Sequence, residues 1–442
     1  MRCTGWRQLY PEIKIVKGNL MKKSLLITLL FVLVLTCSAF AADGEWTAWE
    51  ADVSNAAEIQ CTLVEASLEN ESVKEVLGEV TEDDWVIGPE EAIMTLVEYA
   101  DFQCPYCSRA GLTALEFQAA HPDEVRYVYR HFPLSFHEKA PMTAYAADAA
   151  GKQGLFFKAE HFLYETQNDW TNIADMDEFE AWLRENIQTA LPELDYEQWS
   201  ADFESEAIRE VVDGSFDKVA ATGLVGGTPT FFANFYQTSY EPAVLEQYIK
   251  LFNLQKNYRT SCPVNVVEEG KDYRATLHTT AGDVIINLFA KEAPNLVSNF
   301  MNLAADGFYN GNEFHNVVEG FALQTGDPSS TGVGLAGYYL DDENLNNGGF
   351  NEPGAVAMAN TGANKNGSQF FIALDVAEYF RNGYSASGDI SEDEVAQKVN
   401  TRLEAMNAKY SVFGRVAEES LEILPLIDQT TVIESVDVEV RG

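Results

Sequence analysis

After twenty residues that look like neither signal nor domain comes a short positive patch, Met21-Lys22-Lys23, followed by an apolar run from Leu25 to Leu35. Through residue 92 apolar and polar positions then mix without a period, and acidic groups such as Thr81-Glu82-Asp83-Asp84 punctuate short apolar pieces. At residues 93–100 the pattern becomes a continuous, β-favouring apolar stretch, which predicts a buried strand. A helical stretch follows, with Leu112, Leu115 and Ala119 on one face, and His121-Pro122 ends it. Val125 to Arg130 predicts a second strand, and residues 140–221 are helical in spacing throughout. Thr228-Pro229-Thr230-Phe231-Phe232 enters another strand after two glycines, and a helix over roughly Pro242–Phe252 closes this half. The order predicts an α/β domain over residues 85–253 with a helical insertion at about 135–222.

The pattern changes after a linker at 254–271. Tyr273, Ala275 and Leu277 alternate with polar residues, as do Val284, Ile286 and Leu288, across a turn at Ala281-Gly282. That is a β-hairpin. Short strands and Gly/Asn turns continue over residues 272–440, which predicts an antiparallel barrel or sandwich. One helix interrupts them. Ser391 and Glu394 form a capping box, and Val395, Val399, Leu403 and Met406 share a face. Residues 42–84 read as a flexible or thinly packed acidic lead segment.

Composition adds boundaries. At 442 residues the chain is too long for one ordinary core. A net charge of −40 repels phosphate backbones, so nucleic acid is excluded as an expected partner. Lys22-Lys23, the apolar run and Ala39-Phe40-Ala41 form an export signal over residues 1–41, with the natural start placed at Met21. The run is too short to span a bilayer, and no later run supplies a transmembrane helix. Cleavage near Ala41 implies an extracytoplasmic protein, periplasmic, cell-surface or secreted, where disulfides persist. Lipidation at Cys37 is the rival reading, and Thr36 before it disfavours that. Cys61 and Cys262 flank the α/β domain and either pair as a structural disulfide or remain two buried thiols.

Cys104 and Cys107 carry the clearest chemistry. They lie three apart at the start of a helix that follows a strand, so one helical turn puts both sulfurs on one face. The helix N-terminus favours a thiolate at the first cysteine, and Pro105 suits the first turn. An inert disulfide or half a zinc site are the bland alternatives; zinc lacks a second ligand pair, so no metal or cofactor is expected. His131 and His137 show no metal-ligand spacing and read as ordinary loop histidines. Gly332-Val333-Gly334-Leu335-Ala336-Gly337 fits a dinucleotide motif in letters only, since no helix pattern follows it, and reads as a barrel loop.

Val97-Glu98-Tyr99-Ala100-Asp101-Phe102-Gln103-Cys104-Pro105-Tyr106-Cys107 resembles the DsbA-like branch of the thioredoxin superfamily, and Gly226-Gly227-Thr228-Pro229-Thr230-Phe231 resembles that family's cis-proline loop. The resemblance implies Cys104 as nucleophile, Cys107 as resolving cysteine, and Pro229 with Thr228 opposite them. It makes Glu98 a buried acid that relays protons; the alternative is a strand Glu facing solvent. Oxidase, reductase and isomerase roles stay open.

The second half resembles cyclophilin-type peptidyl-prolyl isomerases. The resemblance rests on Phe314-His315-Asn316, Gly320-Phe321-Ala322-Leu323-Gln324, Ala357-Met358-Ala359-Asn360, Asn366-Gly367-Ser368-Gln369-Phe370-Phe371 and Ser411-Val412-Phe413-Gly414-Arg415-Val416. It implies an eight-stranded barrel capped by helices. Phe321 and Phe371 would floor a proline pocket, with Gln324, Ala359, Asn360 and Gln369 on the peptide backbone. Three positions depart from the family. Asn316 stands where the family has its catalytic Arg, Ala322 where it has Met, and Tyr410 where many members have His. The pocket Trp has no counterpart near Met406. The implied protein is a folding factor with two sites, acting on clients that contain cysteines and prolines and served by an unidentified redox partner. The alternative is a client-binding chaperone whose second half is catalytically weak or silent.

Overall fold

The computed structural model describes residues 44–442, apart from 52, 55, 348 and 387–389. The export signal, Ala41 and Cys37 therefore lie outside the described residues. The lead segment comprises β1 (Thr47–Ala48), β2 (Cys61–Leu63) and α1 (Glu71–Leu77). The first domain then runs β3 (Trp85–Ile87), β4 (Met94–Ala100), α2 (Pro105–Ala120) and β5 (Val125–His131). Six helices intervene: α3 (Ala140–Gly151), α4 (Phe156–Glu165), α5 (Gln167–Trp170), α6 (Met176–Ala190), α7 (Tyr196–Phe203) and α8 (Glu206–Ala220). The domain closes with β6 (Thr230–Ala233), β7 (Tyr236–Thr238) and α9 (Pro242–Lys256).

The sheet order is β3-β5-β4-β6-β7, with β4 and β5 parallel and the other pairs antiparallel. β4 is central and covered on both faces, which is why it reads as an unbroken apolar run. Trp170, Phe179, Leu183, Trp199 and Phe203 of the insertion share one core with Ala100 of β4, Cys107 of α2 and Tyr129 of β5. Its helices start where side chains cap free N–H groups: Asp175 for α6, Asp195 for α7 and Ser205 for α8.

One helix face differs from expectation. α2 buries Cys107, Ala110, Gly111, Ala114 and Phe117, while Leu112 and Leu115 are half-buried and Ala119 is exposed. Small residues set the face because α2 packs closely on α4. A Cβ on Gly111 would stand 2.5 Å from a ring carbon of Tyr164. The two histidines also differ. His131 ends β5 with Nε2 2.7 Å from Asp148 Oδ1, and His137 places Nδ1 2.8 Å from Asp101 Oδ2. Each is tied to a buried carboxylate.

The second domain runs β8 (Asp272–Thr279), β9 (Gly282–Leu288), α10 (Pro294–Ala305), β10 (Asn316–Val318), β11 (Ala322–Thr325), β12 (Tyr338–Leu340), β13 (Ala355–Asn360), β14 (Asn366–Ala373), α11 (Val376–Ala386), α12 (Glu392–Lys409), β15 (Val412–Val416) and β16 (Ile433–Arg441). Eight strands follow one antiparallel path, β16-β8-β9-β15-β13-β14-β11-β10. An isolated bridge, Glu313–Val432, links the segments entering β10 and β16 and so joins the two ends of the path. The inward positions of β8 and β9 meet Phe300 of α10, Phe370 and Phe413 in one core. α12 starts at the Ser391/Glu394 capping box and buries Val395, Val399, Leu403 and Met406.

The lead segment is short of regular structure but is not loose. β1 pairs with β16, and β2 pairs with β12. Ile59 is buried in the barrel core and donates its N–H to Pro263 O at 2.8 Å. Cys61 and Cys262 form a disulfide across 201 positions of sequence. Val73 and Leu77 of α1 pack against the first domain, where Arg130 donates to Leu77 O (3.0 Å) and Glu79 O (2.8 Å). The segment is thus a strap touching both domains. Its partners lie far away in sequence, so no local period announces them. The linker is also pinned: α9 continues to Lys256, and Arg259 N–H donates to Ala336 O at 3.0 Å.

Candidate functional sites

Cys104 is the N-cap of α2, with Pro105 at the first turn. Its thiol donates to Thr228 O at 3.4 Å, and the Thr228–Pro229 bond that follows is cis. Both cysteines are free thiols and both are buried, Cys107 completely. The two differ in chemistry. A hydrogen bond from Cys107, together with others from Thr228 and the backbone of Tyr106 and Cys107, lowers the Cys104 pKa to about 5 despite burial. Burial pushes the Cys107 thiol far up, and its hydrogen bond to Cys104 and the charge of Glu98 add to that. The pair therefore offers one ready thiolate and one protonated reserve. Tyr106 stands exposed beside them.

Glu98 lies on β4 with no exposure to solvent, so it does not face water. Burial raises its pKa to about 8, while a hydrogen bond from Tyr127 opposes the rise. Tyr127 also lies 3.0 Å from Glu160 Oε1, on α4. Sequence reasoning missed Tyr127, Tyr129, Glu160 and Tyr164. They belong to an ordinary strand and an ordinary helix, and only the packing of α4 on α2 brings them together.

In the second domain a cavity of about 410 Å³ opens on the barrel. Asn316, Phe321, Ala322, Gln324, Ala359, Asn360, Gln369, Phe371, Met406 and Tyr410 all line it. The strand register explains the convergence. Asn316 pairs with Gln324 across β10 and β11, and Gln324 pairs with Phe371 across β11 and β14. Gln369 and Phe371 are two apart on β14 and share a face. Phe371 stacks on Phe350 at 5.8 Å and meets the edge of Tyr410 at 5.1 Å. α12 brings Met406 and Tyr410 to the rim. Lys365, Tyr339, Val333 and Leu335 also line the cavity and were not anticipated. They come from loops or from β12, whose place is set by its pairing with β2.

The cavity's polar side is a row of amides. Asn316 Nδ2 donates to Gln324 Oε1 (3.1 Å), and Gln324 Nε2 donates to Gln369 Oε1 (2.9 Å). Gln369 Nε2 donates to Gly332 O (3.0 Å) and Gly334 O (2.8 Å) of the glycine loop. That loop is held from within: the buried Asp327 carboxylate accepts from Gly332 N–H (2.7 Å) and Gly334 N–H (3.0 Å). Each amide in the row is oriented by the next, so this wall is rigid. The glycine motif is therefore a wall of the barrel's cavity. Among the described residues lining the cavity, Lys365 is the one cation, and no guanidinium is present.

Comparison with known proteins agrees with both halves. Residues 274–441 match the family model described as cyclophilin type peptidyl-prolyl cis-trans isomerase/CLD, and residues 80–251 match that for thioredoxin. A Staphylococcus aureus protein provisionally named a peptidyl-prolyl cis-trans isomerase is 37% identical over 194 residues, which is 39% of this chain and 94% of that protein. The peptidyl-prolyl isomerase cwc27 of Rhizopus delemar is 41% identical over 133 residues, 29% of this chain but only 25% of that protein. Among solved structures, a Cryptosporidium parvum cyclophilin type isomerase aligns with TM-score 0.30 and 26% identity, over 38% of this chain and 97% of its own. Wolbachia pipientis alpha-DsbA1 aligns with TM-score 0.30 and 21% identity, over 36% and 77%.

Proposed function

The chain belongs to the cyclophilin-type peptidyl-prolyl cis-trans isomerase family through residues 274–441, and from that premise we propose that it is a protein-folding factor with two active sites on one client. The observation that carries the reading is the unequal pair of thiols, Cys104 and Cys107, facing Thr228 and Pro229 in the domain that precedes the barrel.

In the oxidising direction a client thiolate attacks Cys104 Sγ of the Cys104–Cys107 disulfide. The mixed disulfide forms, and Cys107 leaves as a thiolate that takes a proton, with Glu98 as its donor. A second client thiolate then attacks the client sulfur, and Cys104 leaves as a thiolate. Its low pKa makes it a good leaving group. The client gains a disulfide and the protein becomes the dithiol, which an unidentified redox partner must reoxidise. In the barrel, Phe321 and Phe371 receive a client proline, and Gln324, Ala359, Asn360 and Gln369 hold its backbone. Once one site is engaged, the other acts at a raised local concentration.

The rotation barrier of a prolyl amide is about 18–20 kcal/mol because of amide resonance. Asn316 spends one N–H on Gln324 and leaves a second for the client, without the charge of a guanidinium. Isomerisation is accordingly weaker than an arginine would give. The same residue favours the second reading, a proline-peptide binder with a silent barrel. Export is part of the proposal. The Cys61–Cys262 disulfide supports it, since such bonds persist outside reducing compartments.

The test uses the full chain with a reduced peptide carrying two cysteines and a proline. Oxidised wild type should convert it to the disulfide form, and Cys107→Ser should accumulate a Cys104–peptide adduct when given the disulfide form of the same peptide, whose second sulfur leaves as the thiolate. Absence of both would remove the redox reading.

A further inference from the structure

Beneath the dithiol lies a buried carboxyl pair. Glu98 comes from the sheet and Glu160 from the helical insertion, and both are fully buried. The Tyr127 hydroxyl lies within hydrogen-bond distance of both, at Glu98 Oε2 and at Glu160 Oε1. A hydroxyl carries one proton and cannot donate to two carboxylates. One contact must therefore run the other way, with a carboxylic acid donating to the Tyr127 oxygen, so the pair holds at least one proton. The other carboxyl oxygens, Glu98 Oε1 and Glu160 Oε2, are buried without a partner, as are the hydroxyls of Tyr129 and Tyr164. Among the described residues no cation compensates either carboxyl: the titratable groups around them are Tyr127 and Tyr129 of β5, Tyr164 of α4, Cys107 of α2 and its N-cap Cys104. The nearby His131 is taken by Asp148.

We propose that Glu160 is a positioning residue for the resolving step: as a neutral acid it donates to Tyr127, which then donates to Glu98, so the helical insertion sets how readily Glu98 exchanges a proton with Cys107. The inference rests on the thiol-exchange reading of Cys104 and Cys107 and adds a residue to it.

Two observations fix the order of donors. Glu98 is the carboxyl whose charge reaches Cys107 and that feels Cys104. Burial, and after it the charge of Glu98, both raise the Glu160 carboxyl and so favour its neutral form. Glu160 thus stays protonated while Glu98 cycles. When Cys107 resolves a mixed disulfide, its thiol proton passes to the Glu98 carboxylate and its sulfur forms the bond to Cys104 Sγ, expelling the client thiolate. A donated hydrogen bond stabilises a carboxylate, so the Glu160–Tyr127 chain lowers the pH at which Glu98 can accept that proton.

The experiment follows the full-length reduced protein with an aryl disulfide that releases coloured thionitrobenzoate, between pH 5 and 10 (roughly the range bracketing both thiol and carboxyl titrations). The first release marks formation of the mixed disulfide at Cys104, and the second marks its resolution by Cys107. Absence of a second release would remove the dithiol reading itself. With both phases present, Glu160→Leu should move the midpoint of the second phase up by about one pH unit, a tenfold loss of rate below the midpoint. Glu160→Gln should restore the wild-type midpoint, because an amide N–H also donates to Tyr127. Tyr127→Phe should shift it at least as far as Glu160→Leu, because it removes the hydrogen bond to Glu98 itself, and the double variant should shift no further than Tyr127→Phe. A wild-type midpoint in both Glu160→Leu and Tyr127→Phe would overturn the proposal, as would Glu160→Gln shifting as far as Glu160→Leu.

Discussion

The two sites were built under different demands. At the dithiol every element of thiol exchange stands in place: a helix N-terminus, a lowered first thiol, a raised second thiol, the Thr228–Pro229 loop and a buried acid. At the barrel the walls are complete, and Asn316 stands in a row of neutral amides with no guanidinium among the described residues that line the cavity. Thiol exchange depends on two pKa values being pushed apart, and that needs burial and specific neighbours. Proline binding depends on shape and on amide hydrogen bonds, which survive the loss of a cation. The comparison predicts that binding and catalysis separate in the barrel and do not separate at the dithiol.

The largest expected effect breaks the dithiol outright. Cys104→Ser should reduce disulfide exchange to background, because the thiolate is the attacking species, while the affinity of the barrel for a proline peptide stays unchanged. A peptide-binding titration of the same variant checks that independence. Loss of proline binding in Cys104→Ser would tie the two sites together.

The strap is next. Closing a loop of 201 residues is worth about 5 kcal/mol in the chain-entropy model, and measured losses run about 2–5 kcal/mol. Cys61→Ser with Cys262→Ser should lower stability to urea by that amount under non-reducing conditions. The exchange rate per folded molecule should not change, since neither sulfur touches Cys104 or Cys107.

Glu98 sharpens the contrast further. Its folded pKa of about 8 lies above the ordinary 4.5. Between those two values the folded chain binds more protons than the unfolded one, so stability falls as pH rises through this window. Glu98→Gln removes that penalty. It should raise the unfolding free energy at pH 7 by about 3 kcal/mol and slow resolution by Cys107. A variant less stable at pH 7 would contradict the assignment. The smallest effect is a pH profile. Alkylation of Cys104 by iodoacetamide should be flat above about pH 6 and fall about tenfold per unit below its pKa of about 5.

Much of this was legible in the residues, and unevenly so. The β4 run, the Cys104–Cys107 spacing and the hairpin at Ala281-Gly282 are local signals, and each states its own structure. The ten expected pocket residues converge because strand register turns alternate positions into one wall. Three things were not legible. The buried face of α2 follows from how closely Gly111 lets α4 approach, which the leucine spacing does not reveal. The strap looked thin because its strands pair with partners hundreds of positions away. Glu160 looked like any helical glutamate, and only the packing of α4 on α2 places it against Tyr127.

The central claim is that the barrel's cavity works on prolines without a guanidinium. The direct measurement is prolyl cis–trans isomerisation by the full chain, for wild type, Phe371→Ala and Asn316→Arg. The account predicts wild-type catalysis above the uncatalysed rate, its loss in Phe371→Ala, and a gain of about 10²-fold in Asn316→Arg, the scale of one added electrostatic donor. Wild type at the uncatalysed rate, with activity appearing only in Asn316→Arg, would contradict it and leave a binding module beside the dithiol.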